Sequence, residues 1–131
     1  MAAAMKQTEL QLLVFTISGT RYGIDVEQIA SLQNYDSAQV ILKFHELVAA
    51  KAVSYRTPKI LIVKNRETFP AILINEPEDM INILIKTIRP LPVIMASTAN
   101  CRGVWGVVLQ KGDLIVLFDF YKNENLKKYQ G

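Results

Sequence analysis

Leu13-Val14-Phe15-Thr16-Ile17-Ser18-Gly19-Thr20-Arg21-Tyr22-Gly23-Ile24-Asp25-Val26 is the stretch that decides the architecture of this chain. In a strand, Leu13, Phe15 and Ile17 face one way and Leu12, Val14 and Thr16 the other. Both faces are largely apolar, which predicts a strand buried on two sides. Ser18-Gly19-Thr20 is turn chemistry. Tyr22, Ile24 and Val26 then alternate with Gly23 and Asp25, completing a hairpin. Further along, Ile60-Leu61-Ile62-Val63 and Phe69-Pro70-Ala71-Ile72-Leu73-Ile74 flank the polar Lys64–Thr68 in the same way. A shift of 47 residues places Tyr22 on Phe69, Val14 on Leu61 and Val26 on Leu73.

Each hairpin runs into an acid-containing turn and a short apolar piece. These are Glu27-Gln28-Ile29-Ala30-Ser31-Leu32 and Glu76-Pro77-Glu78-Asp79-Met80-Ile81-Asn82-Ile83. In the second, Asn75 is a candidate helix cap with acids near the positive end of the dipole. Val40-Ile41-Leu42-Lys43-Phe44-His45-Glu46-Leu47 also resembles Leu114-Ile115-Val116-Leu117-Phe118-Asp119-Phe120-Tyr121. The pattern is a weak internal duplication.

The copies are unequal. Only residues 33–39 separate Leu32 from Val40, whereas residues 84–113 separate Ile83 from Leu114. The long connection carries Arg89-Pro90-Leu91-Pro92, then a hairpin strand, Val104–Leu109, turning at Gln110-Lys111-Gly112-Asp113. The short one has no room for such a strand. The expected fold is therefore mainly β, with two pseudo-symmetric small β-barrels, the first one incomplete. Short helices are expected near 27–31, 45–51, 76–82 and 119–128. Residues 1–9 are expected to form a flexible lead-in. The remainder, 10–131, is expected to be one domain made of two barrel halves, about 10–59 and 60–126.

The opening hairpin, Ile88-Arg89-Pro90-Leu91-Pro92, Arg102-Gly103-Val104 and Gly112–Asp119 together resemble the CheW-like domain family of bacterial chemotaxis. The resemblance spans about residues 10–126. It implies two intertwined β-barrels and a non-catalytic cytoplasmic adaptor that binds a CheA-type histidine kinase regulatory domain, a chemoreceptor, or both. The connection 33–39 holds no Asn-Leu-Arg-Gly type segment, and Ser31 stands where the family commonly carries a glutamate. The alternative is an orphan β-barrel module that binds a ligand, nucleic acid or a second copy. The missing strand leaves edges around Ile29–Leu32 and Val40–Phe44, and open edges recruit partners. Ile29, Ser31, Leu32 and Ile41 are thus the candidate partner-binding residues, with homodimer formation through the same edge a further expectation. The helix-like stretch Glu46–Val53 is the alternative cover for that gap.

Composition narrows the function further. Of 131 residues 50% are hydrophobic, enough for a real core, and the formal charge is only +3. A dedicated nucleic-acid binder carries a denser basic patch with interleaved aromatics, so nucleic acid is disfavoured. Leu114–Phe118 is the longest apolar run, far short of a membrane span of about 20 residues. Met1–Lys6 has no apolar region of signal-peptide length. His45 beside Glu46 lacks a nucleophile at usable spacing and is expected to be structural or on the surface. Cys101, the single cysteine, is expected to be inert. Glu76, Glu78 and Asp79 fit a solvated helix start better than a cation cage. Trp105, in a strand, is expected to be core or half-buried. No catalytic, metal or cofactor site is expected.

Overall fold

The computed structural model describes residues 8–36, 41–64, 71–91 and 102–123. Nine strands carry the fold: β1 (Glu9–Ile17), β2 (Thr20–Asp25), β3 (Ile29–Asn34), β4 (Ile41–Lys43), β5 (Pro58–Val63), β6 (Ala71–Asn75), β7 (Asp79–Leu84), β8 (Val104–Gln110) and β9 (Asp113–Phe118). One short helix, α1 (Phe44–Leu47), follows β4, and 3-10 turns lie at Val26–Gln28, Ile85–Thr87 and Phe120–Lys122. The strands form a five-stranded sheet, β7-β1-β2-β9-β8, and a four-stranded sheet, β3-β5-β6-β4.

β1 is buried on both faces, as its double apolar pattern requires. Leu13, Phe15 and Ile17 join a core shared with Leu61, Val63, Ile72 and Ile74 of the other sheet. Leu12 and Val14 point the opposite way, into a second core with Ile83, Val108, Ile115 and Leu117. The five-stranded sheet curls around that second core. Arg89, beyond β7, exchanges two backbone hydrogen bonds with Val107 at the outer edge of β8 (2.8 and 2.9 Å). Its four-stranded counterpart has no strand beyond β4 or β3 among the described residues, so this is the incomplete barrel. Both its ends come from the first half of the chain, while β5 and β6 come from the second.

The duplication is exact in the pairing. β9 runs parallel to β2, matching Val116 with Tyr22, and β4 runs parallel to β6, matching Leu42 with Ile72. Within the hairpins Phe15 faces Tyr22 and Leu61 faces Ile72. Tyr22 therefore corresponds to Ile72, and Phe15 to Leu61. The single shift of 47 is replaced by 46 along the first strands (Phe15 to Leu61) and 50 along the second (Tyr22 to Ile72), because the second hairpin has the longer loop. The proposed partner of Tyr22, Phe69, lies outside the described residues. Tyr22 itself is fully packed rather than half-buried.

The helix expected at 76–82 is absent, and Asp79–Leu84 is strand β7, antiparallel to β1. Pro77 disfavours a helical Glu76. The amides that a helix start would leave free are taken by Thr57 O and Val14 O, 2.8 and 2.7 Å from the nitrogens of Glu76 and Glu78. Asn75 does not cap; its Nδ2 donates to Thr16 O at 3.0 Å. Near 27–31 only Val26–Gln28 turns helically, capped by Asp25, before β3 begins. Near 45–51 the helix is confined to Phe44–Leu47. Past Lys122 the expected C-terminal helix falls mostly outside the described residues.

Candidate functional site: an apolar groove between the sheets

Where the shared core reaches the surface, Leu13, Val26, Ile29, Leu32 and Met80 line a groove of about 250 Å³. Each element contributes for a local reason. Leu13 and Met80 are cross-strand partners of β1 and β7 and so share a face. Val26 opens the 3-10 turn that Asp25 caps, its Oδ1 accepting from Glu27 N at 2.9 Å. That turn delivers Ile29 to the core and Leu32 to the rim. A bulge between Ile29 and Ser31 breaks strict alternation along β3. Leu13 is buried, whereas Leu32 and Met80 are 40% and 53% exposed. Covering each would contribute roughly 1 kcal/mol, about half the value for complete burial.

The duplication supplies an internal control. Leu13 corresponds to Lys59 and Met80 to Asn34, which are likewise cross-strand partners. There Lys59 Nζ donates to Asn34 Oδ1 at 2.8 Å. Val26 and Leu32 correspond to Glu76 and Glu78, which line a polar cavity of about 590 Å³ with Thr16, Ser54, Arg56 and Asn75. Glu78 accepts from Thr16 Oγ1 and lies 3.3 Å from Arg21 Nε, while Arg21 Nη1 bonds Asp113 Oδ2 at 3.0 Å. The same scaffold positions thus accept polar, bonded side chains on one side. Apolar residues on the other side are not a demand of the fold.

Of the candidate partner-binding residues, Ile29 and Leu32 meet in this groove, and Ser31 lies between them on β3. Gln33 Nε2 lies 3.4 Å from Ser31 Oγ. Ile41 is on β4, at the opposite end of the sheet with β5 and β6 between. Met80 and Leu13 were not singled out by the sequence. The only signals for a strand there are Pro77, which disfavours a helical Glu76, and the β-branched Ile81 and Ile83 two residues apart.

The remaining singled-out residues have structural places. His45 is buried in α1, with its backbone N donating to Tyr55 Oη (3.1 Å) and Nδ1 3.0 Å from the same oxygen. Burial pushes the Tyr55 hydroxyl pKa up, with a smaller lowering by the bond from His45 and a raising by Glu46. Trp105 is half-buried against the second core. Cys101 lies outside the described residues. Glu46–Val53 folds back, with Leu47, Val48, Ala50 and Val53 against the shared core. Among the described residues no group of three or more His, Cys, Asp or Glu is arranged to hold a metal, and no helix is long and apolar enough to cross a membrane.

Neither a family model nor a curated protein sequence matches the chain. Among solved structures, it is similar to the scaffolding protein TtCheW from Thermoanaerobacter tengcongensis. The TM-score is 0.70 at 12% identity, covering 91% of this chain and 90% of that one. The fold is CheW-like.

Proposed function

We propose that this CheW-like chain is a non-catalytic adaptor of chemotaxis-like signal transduction, binding protein partners in the cytoplasm through its barrel surfaces. The single observation that carries the reading is the exposed apolar groove of Leu13, Val26, Ile29, Leu32 and Met80, set against its polar, internally bonded counterpart. A CheA-type histidine kinase regulatory domain or a chemoreceptor is the partner class, with Ile29, Ser31 and Leu32 at the contact. Ile41 belongs to the second open edge, where a strand of a partner or a second copy adds to β4. A groove without nucleophile, base or metal cluster is suited to packing, not turnover.

The short connection 33–39 favours one second reading, an orphan binding module that no longer couples kinase to receptor. Binding of the purified chain to a CheA-type regulatory domain, measured by calorimetry, separates the two. Leu32→Asp and Met80→Asp, each shown to be folded, are expected to weaken binding by about tenfold or more, since each leaves a charge to desolvate at the contact. Absence of binding by the parent chain would favour the orphan module.

A further inference from the structure

We propose that the polar cavity across the pseudo-dyad from the groove binds a small zwitterion of amino-acid type, a free amino acid or a di- or tripeptide with both ends uncapped. This site lies outside the groove and does not depend on the adaptor reading. Its walls are pinned from three directions. Asn75 Nδ2 donates to Thr16 O at 3.0 Å, Ser18 Oγ to Lys51 O at 3.0 Å, and Glu76 N to Thr57 O at 2.8 Å. These bonds tie the first hairpin, the stretch 51–57 and the end of β6 together, so the cavity is preformed. At about 590 Å³ it falls within the size range of small-molecule sites, roughly 300–1,000 Å³.

The charges in the cavity select the ligand. Glu78 is already committed, to Thr16 Oγ1 and to Arg21, which also bonds Asp113. Glu76 and Arg56 line the same cavity and are exposed. Neither side chain forms an ion pair or hydrogen bond with the other or with any described residue. A simple anion entering there would be repelled by Glu76 and Glu78. A metal cation would find one uncommitted carboxylate beside a guanidinium, too few oxygens for a cage. A molecule with an ammonium at one end and a carboxylate at the other satisfies both groups. Glu76 takes the ammonium, and the planar fork of Arg56 takes the carboxylate. Ser54 and Thr57, on the same wall, offer hydroxyls that can donate to or accept from amide groups between the two ends.

The test titrates the full chain with alanine, dialanine and trialanine, and with N-acetylated and C-amidated forms of each. Binding is read from amide chemical shifts, which also locate it. At least one uncapped probe is expected to bind saturably and to shift the amides of residues 53–57 and 75–78. Capping either end should weaken it about tenfold or more. The probe length that binds tightest tells a free amino acid from a peptide. Glu76→Gln should weaken the uncapped probe and remove the penalty for acetylation, while Arg56→Gln should do the same for amidation. Both replaced side chains are exposed and unbonded, so circular dichroism should be unchanged, and Leu32→Ser in the opposite groove should leave binding intact. The proposal is overturned if no uncapped probe binds at millimolar concentration, or if capping makes no difference. Equal affinity in both glutamine variants, or shifts confined to other residues, would place the ligand elsewhere and overturn it too.

Discussion

Phe44 is the residue on which both halves converge. It packs edge-on against Phe15, Tyr22 and Phe118, each at a ring-centroid distance of 4.9 Å, and against Phe120 at 6.3 Å. Phe44 and Phe118 occupy equivalent positions in the two copies, so this contact sits on the pseudo-dyad. Truncation there leaves a cavity bounded by both sheets. Phe44→Ala is expected to cost about 3–5 kcal/mol, read from urea unfolding, with Phe44→Leu losing much less. Tyr22 gives a pH signature in the same cluster. Burial raises its pKa above the ordinary 10.0, so the folded state favours the protonated ring. Stability from this source is complete below the unfolded value and is lost as pH rises through the folded one. The urea midpoint should therefore fall between pH 8 and about pH 11, and fall less in Tyr22→Phe. An identical slope in the variant would show that another group controls the alkaline limb.

Turns and edges show what sequence makes legible at the scale of elements. Ser18-Gly19 and Lys111-Gly112 both have positive φ at the two central positions (53° and 80°; 53° and 86°), the geometry of two-residue hairpin turns. Their local signals, Ser-Gly-Thr and Lys-Gly-Asp, were enough to place both hairpins. β7 was not legible in this way. Its acids and Asn75 mimic a helix start, and the pairing that makes it a strand, Leu13 with Met80, joins residues far apart in sequence. Losing β7 also hid the groove, since Met80 forms one rim. Glycines separate local from long-range demands in the same manner. At Gly19 an added Cβ meets nothing within 4 Å, so Gly19→Ala should cost only the left-handed strain, roughly 1–2 kcal/mol. At Gly103, φ is +91°, and the same atom would lie 2.7 Å from Asp119 O and 2.9 Å from the Phe118 ring. Gly103→Ala adds overpacking to strain, for roughly 3–5 kcal/mol in total. Equal melting temperatures for the two variants would refute that contrast.

For the whole molecule, the sequence repeat predicted two related barrels, and the unequal connections predicted which one lacks a strand. What the repeat does not reveal is how the halves are joined, because hydrophobic alternation marks a strand without naming its partner. In the structure β3 leaves the first half to pair with β5, and β7 leaves the second to pair with β1. The parallel pairs cross in the same sense, β9 onto β2, while β4 joins β6. Each sheet is therefore built from both halves, and the largest core lies between them with side chains from both. A fragment ending near residue 55, before β5, would keep the β1–β2 hairpin but lose β7 and β9 from either side of it. Two strands alone do not form a stable unit in water. Fragments 1–55 and 56–131, divided before β5, are accordingly expected to lack cooperative unfolding transitions when separate. Mixed in equal amounts, they should recover strand signal in circular dichroism and sediment as a one-to-one complex, since all the cross-half pairings become available again. A cooperative melt for either fragment alone would mean that its half holds a self-sufficient core, and that the exchange of β3 and β7 adds little to stability.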